Sequence, residues 1–422
     1  MYITFGTLMT QTMTIGVGGS DARTELAKLN NMTGDVEPIS SNEFELRIAK
    51  AQQLMKDNNI EATYLDAGTN LYYFTGTKWY ASERMVGAII PQQGDIQYIT
   101  PFFEVNTLRQ YMTIKGKVNG WQEHENPYQL FIETLKNMGI GSGNIALDES
   151  TAFFIADGIK QCADSSPNNY QLINAKAITA GCRSEKSSAE IALLQQAKNM
   201  TMAVHQAVAK ILYQGISTQE VTDFINQAHI KVGAAAGSYF CIVLFGEDSS
   251  FPHGVKNPKT LDINDIVLID TGCQLEGYNS DITRTYVFGE ANPRQRQMWL
   301  IEKNAQASAF NAAILGVPCG DVDIAARDYL ASQAMGPDYQ TPGCPHRTGH
   351  GIGLDIHEWP YLVRSDKTPL SVGMCFSNEP MLVVPDEFGV RLEDHFYMSE
   401  HGAKWFTEPS YSIDDPFGLM KG

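Results

Sequence analysis

The sequence predicts an α/β (α+β) protein of two domains, a smaller α/β domain followed by a larger domain that mixes helices with hairpins. Three observations carry this. Strand-like runs alternate with amphipathic stretches between residues 41 and 183. From residue 184 to residue 422 the order becomes helix, helix, hairpin, and it occurs twice. Each hairpin carries a pair of carboxylates, Asp270 with Asp281 and Glu379 with Glu393.

Residues 1–40 read as an irregular N-terminal arm. Helix-favouring sequence starts near Glu43 and runs into a strand, IEATYLDA. NLYYFTG, RMVGAIIP and DIQYITP follow as strand candidates, and amphipathic pieces at 126–139 and 150–162 flank a further strand, NIALDE. A polar boundary falls at Arg183-Ser184-Glu185-Lys186. Capping-box pairs then open two helices, Ser187 with Glu190 and Ser217 with Glu220, and Gly233 stops the second. The strand CIVLFG leads to the first hairpin, helices are expected at 293–315 and 321–335, and the histidine-bearing stretch HRTGHGIGLDIHEWP precedes the second hairpin.

Composition narrows the function. A chain of 422 residues with a 43% hydrophobic fraction suffices for two cores. The net charge is 31 − 48 = −17, which argues against nucleic acid or an anionic membrane as partner. The seven cysteines are scattered without a CxxC pair, so free thiols are the expectation. No apolar run approaches a membrane span. The N-terminus has no basic residue before Arg23, which makes a poor export signal, and a cytoplasmic setting is expected.

The chemistry lies in the paired acids. Ile266 to Ile269 read as a buried strand ending in Asp270, with Gly272 and Gly277 reversing the chain toward Asp281. In the second hairpin the turn signal Pro385-Asp386-Glu387-Phe388-Gly389 lies midway between Glu379 and Glu393. Carboxylates held side by side repel, and a bound cation removes the conflict. Each acid alone could be an ordinary turn former or a solvated charge, but matched hairpins with matched acids are hard to attribute to chance. Four carboxylates and an imidazole, with His350 among glycines the candidate, suit two divalent ions of Mn, Co, Zn or Fe. Ions about 3.5–4 Å apart would acidify a water between them and polarise a carbonyl, the equipment for amide hydrolysis. His253, in SSFPHGV, and His357, seven residues beyond His350, are candidates for stabilising an oxyanion. His346 is undecided, and the remaining histidines, His395 among them, read as structural or solvated.

These residues resemble the pita-bread metallopeptidases of family M24, which include prolidase, aminopeptidase P and methionine aminopeptidase. The matching motifs are VLIDTG, SDITRT, GHGIGLDIHE, NEP, RLED and FPHG, and residues 41–183 resemble the creatinase-type N-terminal domain of prolidases and aminopeptidases P. The resemblance implies a pita-bread catalytic domain and two divalent ions, Mn first among them. Asp270 would chelate one ion, His350 and Glu379 the other, and Asp281 and Glu393 would bridge. It assigns proton handling to Glu379, substrate contact to His253 and His357, and support of the ligand shell to Arg391. Arg364, in PYLVRSD, matches a stretch where prolidases can carry a basic residue for the substrate's terminal carboxylate.

The implied activity is hydrolysis of Xaa-Pro dipeptides by a metal-bridged hydroxide in a homodimer. The alternatives are an aminopeptidase P, or a metal-free peptide-binding or creatinase-like member of the fold. One departure is visible: Met381 follows Glu379-Pro380 where many relatives have glycine, which is expected to reshape the backbone near the pocket.

Overall fold

The computed structural model describes residues 13–420. They form two compact units, Pro38–Glu185 and a second that joins the described residues up to Glu37 to those from Lys186 onward.

The first unit is built on a mixed six-stranded sheet. Its strand order is Lys117–Trp121, Gln97–Pro101, Gly87–Pro91, Ile60–Asp66, Ser142–Leu147 and Asn169–Asn174. The helices Pro127–Asn137 and Phe153–Asp164 bury Phe131, Ile132, Leu135, Ile155 and Ile159 against this sheet. NLYYFTG, expected as a strand, lies instead in the helix Thr69–Thr75. Gly68 and Gly76 bracket it with positive φ, and Gly76 supplies the left-handed C-cap. A short aromatic run between glycines satisfies either reading, and here the caps decide it.

The arm expected to be irregular is partly ordered. Ala22–Lys28 is a helix capped by Asp21, whose carboxylate accepts from Thr24 N at 2.9 Å. Ahead of it, Thr14 N donates to Gly289 O and Gly18 N to Ala209 O, at 3.0 and 2.8 Å, so this backbone finds its partners on the second unit's own elements. Residues 1–12 of the expected arm lie outside the described residues.

In the second unit both capping boxes form. Ser187 and Glu190 open the helix Ser188–Lys210, and Ser217 and Glu220 open Thr218–Val232, which stops at a left-handed Gly233. The strands Ser238–Phe245, Ile266–Leu275 and Ile282–Val287 then make the first sheet, with Tyr278–Asn279 paired to the second of them. Two further helices, Pro293–Ala312 and Cys319–Ser332, lead to a five-stranded sheet ordered Glu358–Leu362, Gly349–Gly351, Cys375–Asn378, Asp394–Ser399 and Gly402–Trp405. A ribbon of Met381–Val384 and Phe388–Arg391 completes the unit. Helix, helix, hairpin thus occurs twice, as expected. Among the described residues no helix is long and apolar enough to cross a membrane.

Candidate metal centre

The first hairpin is longer than its sequence indicates. The strand does not end at Asp270 but runs on through Gly272 to Leu275, and the reversal is made by Glu276 and Gly277, with φ of 50° and 89°. Asp270 therefore pairs with Thr283, and the same register sets Asp281 opposite Gly272. The two acids are offset by two residues, which keeps them on one face of the sheet. Gly272 is not a turn residue. A Cβ there would meet the Ser280 carbonyl oxygen at 1.8 Å, so only glycine permits this close pairing.

The second hairpin keeps one register across two sheets. Asn378 pairs with Asp394 and Met381 with Arg391, which sets Glu379 opposite Glu393 at the junction. The chain turns through Pro385 to Glu387, with Asp386 at φ 61°. The backbone around Met381 is an ordinary strand, not a reshaped loop. Its side chain is wholly buried beside Leu244, Leu268 and Val383.

Hydrogen bonds then join the hairpins. Thr283 Oγ1 donates to Glu393 Oε2 at 2.8 Å, Glu393 N to Thr283 O at 3.1 Å, and Thr285 Oγ1 to Arg391 O at 2.7 Å. Beneath them the wholly buried Arg284 donates to Glu393 O at 2.8 Å and pairs with Asp394 at 2.6 Å. Arg391 donates to Thr283 Oγ1 at 3.0 Å and to Asp270 Oδ2 at 2.5 Å. His350 arrives on the short strand Gly349–Gly351. Ser377, not singled out from the sequence, accepts from the His350 backbone N at 2.9 Å and donates to Glu379 Oε1 at 3.0 Å, tying the His350 backbone to the acid.

The electrostatics of this cluster are those of crowded acids. Burial raises Asp281 well above the usual carboxylate range, and the charges of Glu393, Asp270 and Glu379 add to it. Glu393 is raised likewise, by burial first and then by Glu379 and Asp270. Glu379 goes the other way. Burial would raise it, but the hydrogen bond and charge of His350, then His346 and Arg391, outweigh burial and hold it below its ordinary value.

The donors fit divalent cations. Asp270 Oδ1 is buried with no partner among the described residues. His350 Nδ1 donates to Gly351 O at 3.0 Å, which leaves Nε2 as the ligating nitrogen, 3.0 Å from Glu379 Oε1 and 3.7 Å from Asp281 Oδ2. Donor atoms lie within 4.8 Å of one another in three groups: Asp281, His350 and His357; Asp281, Glu393 and His395; His350, Glu379 and Glu393. Asp281, Glu393 and His350 each belong to two groups, and the two acids are carboxylates that could serve two ions; Asp270 falls in none of the groups. Such groups also bring in His395, read from sequence as structural.

A cleft of about 390 Å³ opens beside the cluster, lined by His253, Tyr339, His346, Arg347, His350, His357, Val363, Glu379 and Arg391. His253 and His357 are both exposed there. Although His357 has much of its surface free, the cleft walls around its ring push it down to about 4, and the charges of His350 and Arg347 add to this. Arg364 is not in the cleft. Its backbone N donates to Asp323 at 3.1 Å, and its side chain turns outward to an ion pair with exposed Asp338. Two arginines line the cleft, Arg391, which is paired with Asp270, and Arg347, stacked 4.3 Å over the Tyr361 ring. Arg347 lies three residues before His350, an offset that only the bend of this segment brings to the cleft.

Comparison with known proteins agrees with this architecture. A model of metallopeptidase family M24 matches residues 192–400, and one of the creatinase/prolidase N-terminal domain matches residues 47–184. The chain is 32% identical to YkvY of Bacillus subtilis (strain 168), provisionally named a dipeptidase, over 86% of this chain and 97% of that protein. Among solved structures it resembles dipeptidase PepE from Mycobacterium ulcerans, with 29% identity and a TM-score of 0.79 over 88% of this chain and 97% of that one. It also resembles a prolidase from Thermococcus sibiricus, with 28% identity and a TM-score of 0.77 over 86% and 97%.

Proposed function

We propose that this chain, which belongs to metallopeptidase family M24 and carries a creatinase/prolidase N-terminal domain, hydrolyses the Xaa-Pro bond of dipeptides. The observation that carries the reading is the joined pair of hairpins. They bring Asp281, Glu379 and Glu393 together with His350, with Asp270 held beside them by Arg391, next to a cleft whose other walls offer imidazoles and the Arg347 guanidinium. The proposed ligands are Asp270, Asp281, His350, Glu379 and Glu393. Mn is the ion expected, and Co, Zn or Fe suit the same donors. When bound, two divalent ions supply a Lewis acid for a carbonyl and an acidified water.

The chain's own groups do the rest. Glu379, held ionised chiefly by His350 and oriented by Ser377, accepts a proton and returns it to the leaving proline nitrogen. His357, neutral above about pH 4, donates a hydrogen bond to the developing oxyanion, and His253 faces it across the same cleft. Arg391 holds Asp270 in place. Arg347, rather than Arg364, takes the substrate's terminal carboxylate: it lines the cleft, and among the described residues no acidic side chain pairs with it. A homodimer is part of the proposal. Supporting it, Tyr80, Phe102, Phe103, Tyr111 and Phe153 are exposed on the first unit.

The relatives named dipeptidase and prolidase favour the dipeptide reading over aminopeptidase P. Product analysis on Ala-Pro beside Ala-Pro-Ala separates the two. Cleavage of the dipeptide with the tripeptide left intact is expected. Release of alanine from the tripeptide, with slow dipeptide turnover, would move the assignment to aminopeptidase P.

A further inference from the structure

The five proposed ligands leave the two metal positions unequal. One is served by His350 and Glu379 together with the shared acids. The other has Asp270, and Asp270 is already half committed: its Oδ2 is held by Arg391 at 2.5 Å, leaving Oδ1 alone for a cation. Among the five proposed ligands His350 supplies the one nitrogen.

His395 stands against the two acids proposed to be shared, Asp281 and Glu393. It follows Glu393 by two residues at the start of the strand Asp394–Ser399, so strand alternation turns both side chains to the same face. Asp394, between them, points the other way into its pair with Arg284. The His395 ring is wholly buried, and its Nε2 lies 3.2 Å from Glu393 Oε1. Its donor atom falls within 4.8 Å of those of Asp281 and Glu393, the two acids proposed to be shared. The His395 and His350 rings are 6.4 Å apart, so the two imidazoles meet the same acid cluster. Nδ1 of His395 has no partner among the described residues, so no protein contact explains a wholly buried imidazole at this point except the acid cluster.

We propose that His395 is a sixth protein ligand, joining Asp281 and Glu393 and bringing a second imidazole nitrogen to the centre. The consequence is selectivity. A second imidazole favours Co, Zn or Fe over Mn, relative to a centre with a single histidine. The inference requires that the cluster hold metal, but not that the substrate be a Xaa-Pro peptide.

The test is proton NMR of the full chain loaded with two equivalents of Co(II), in water. A histidine bound to Co(II) shows a far-shifted, exchangeable ring N–H resonance. Two such resonances are expected in the wild type and one in His395→Phe, with Co(II) affinity at one position lowered on the order of 10–100-fold. The preference for Co(II) over Mn(II), from competition at equilibrium, should narrow in the same variant. His395→Gln serves as a second variant should the phenylalanine disturb folding, and the wild-type count stands without either. A single shifted resonance in the wild type, or a variant with unchanged spectrum and metal preference, would overturn the proposal. So would failure to take up Co(II) at all. Uptake of Co(II) without cleavage of Xaa-Pro peptides would strike the substrate reading and leave this one standing.

Discussion

Replacing Arg391 by methionine tests whether the cluster behaves as crowded acids awaiting cations. With all groups ionised, Asp270, Asp281, Glu379 and Glu393 contribute four negative charges, and Arg391 returns one positive charge, a net of −3. Arg391 is buried, pairs with Asp270 at 2.5 Å and bonds Thr283 at 3.0 Å. Methionine keeps much of the volume and removes the charge, leaving Asp270 buried among like charges. Breaking one side of a buried pair costs about 3–5 kcal/mol. For a unit of this size each kcal/mol moves the transition by roughly 2–4 °C, so the metal-free protein should melt about 6–20 °C lower. Two divalent ions would more than offset the lost charge, so the deficit should shrink when Mn(II) is added. Calorimetry of wild type and Arg391→Met, each in chelator and in excess Mn(II), reads all four values. A metal-free shift below about 2 °C, or a deficit that grows with metal, would show that Arg391 does not stand in for cations among these acids.

Other expectations follow from particular residues. Gly272→Ala forces a Cβ against the Ser280 carbonyl, with 1.8 Å available, so the hairpin must open; both metal uptake and thermal stability should fall, and retention of two ions per chain would contradict the register argument. His229 is buried, bonded to Thr201 at 3.1 Å and Ser238 at 2.9 Å, and burial lowers it from 6.5 to about 4. The unfolded chain therefore binds a proton there first, and stability is lost as pH falls from about 6.5 toward 4, by roughly 3 kcal/mol. Urea midpoints at pH 7 and pH 4.5 should fall less in His229→Gln than in the wild type, and equal falls would assign the acid sensitivity elsewhere. For Arg347, kcat/KM on Ala-Pro should exceed that on its C-terminal amide by ten-fold or more, on the order of one lost charged hydrogen bond. Arg347→Met should erase that preference; an erased preference in Arg364→Met instead would return the role to Arg364.

What could be read in advance depended on how local the determinant was. Glu379 and Glu393 were legible as partners because the Pro385–Gly389 turn signal sits midway between them, and the register bears the symmetry out. Asp270 and Asp281 were legible as neighbours but not in their offset. Gly272 reads as a turn residue until the Ser280 carbonyl is seen against it. Tertiary approach made the difference, and a single sequence carries no trace of it. The same holds for Arg347 and Arg364. Both are basic and near His350 or His357, and only the fold turns one inward and the other toward Asp338. His395 did leave a signal, since any residue two beyond a strand carboxylate shares its face. Ser377 left the same signal from the other side, two residues before Glu379.

The central claim is metal-dependent cleavage of an Xaa-Pro dipeptide. Its most direct test follows proline release from Ala-Pro as metal-stripped protein is titrated with Mn(II) or Co(II), with bound metal measured on the same samples. No release is expected without metal, and the rate should rise until about two ions are bound per chain. Release at full rate from the stripped protein, or none with both ions bound, would contradict that claim.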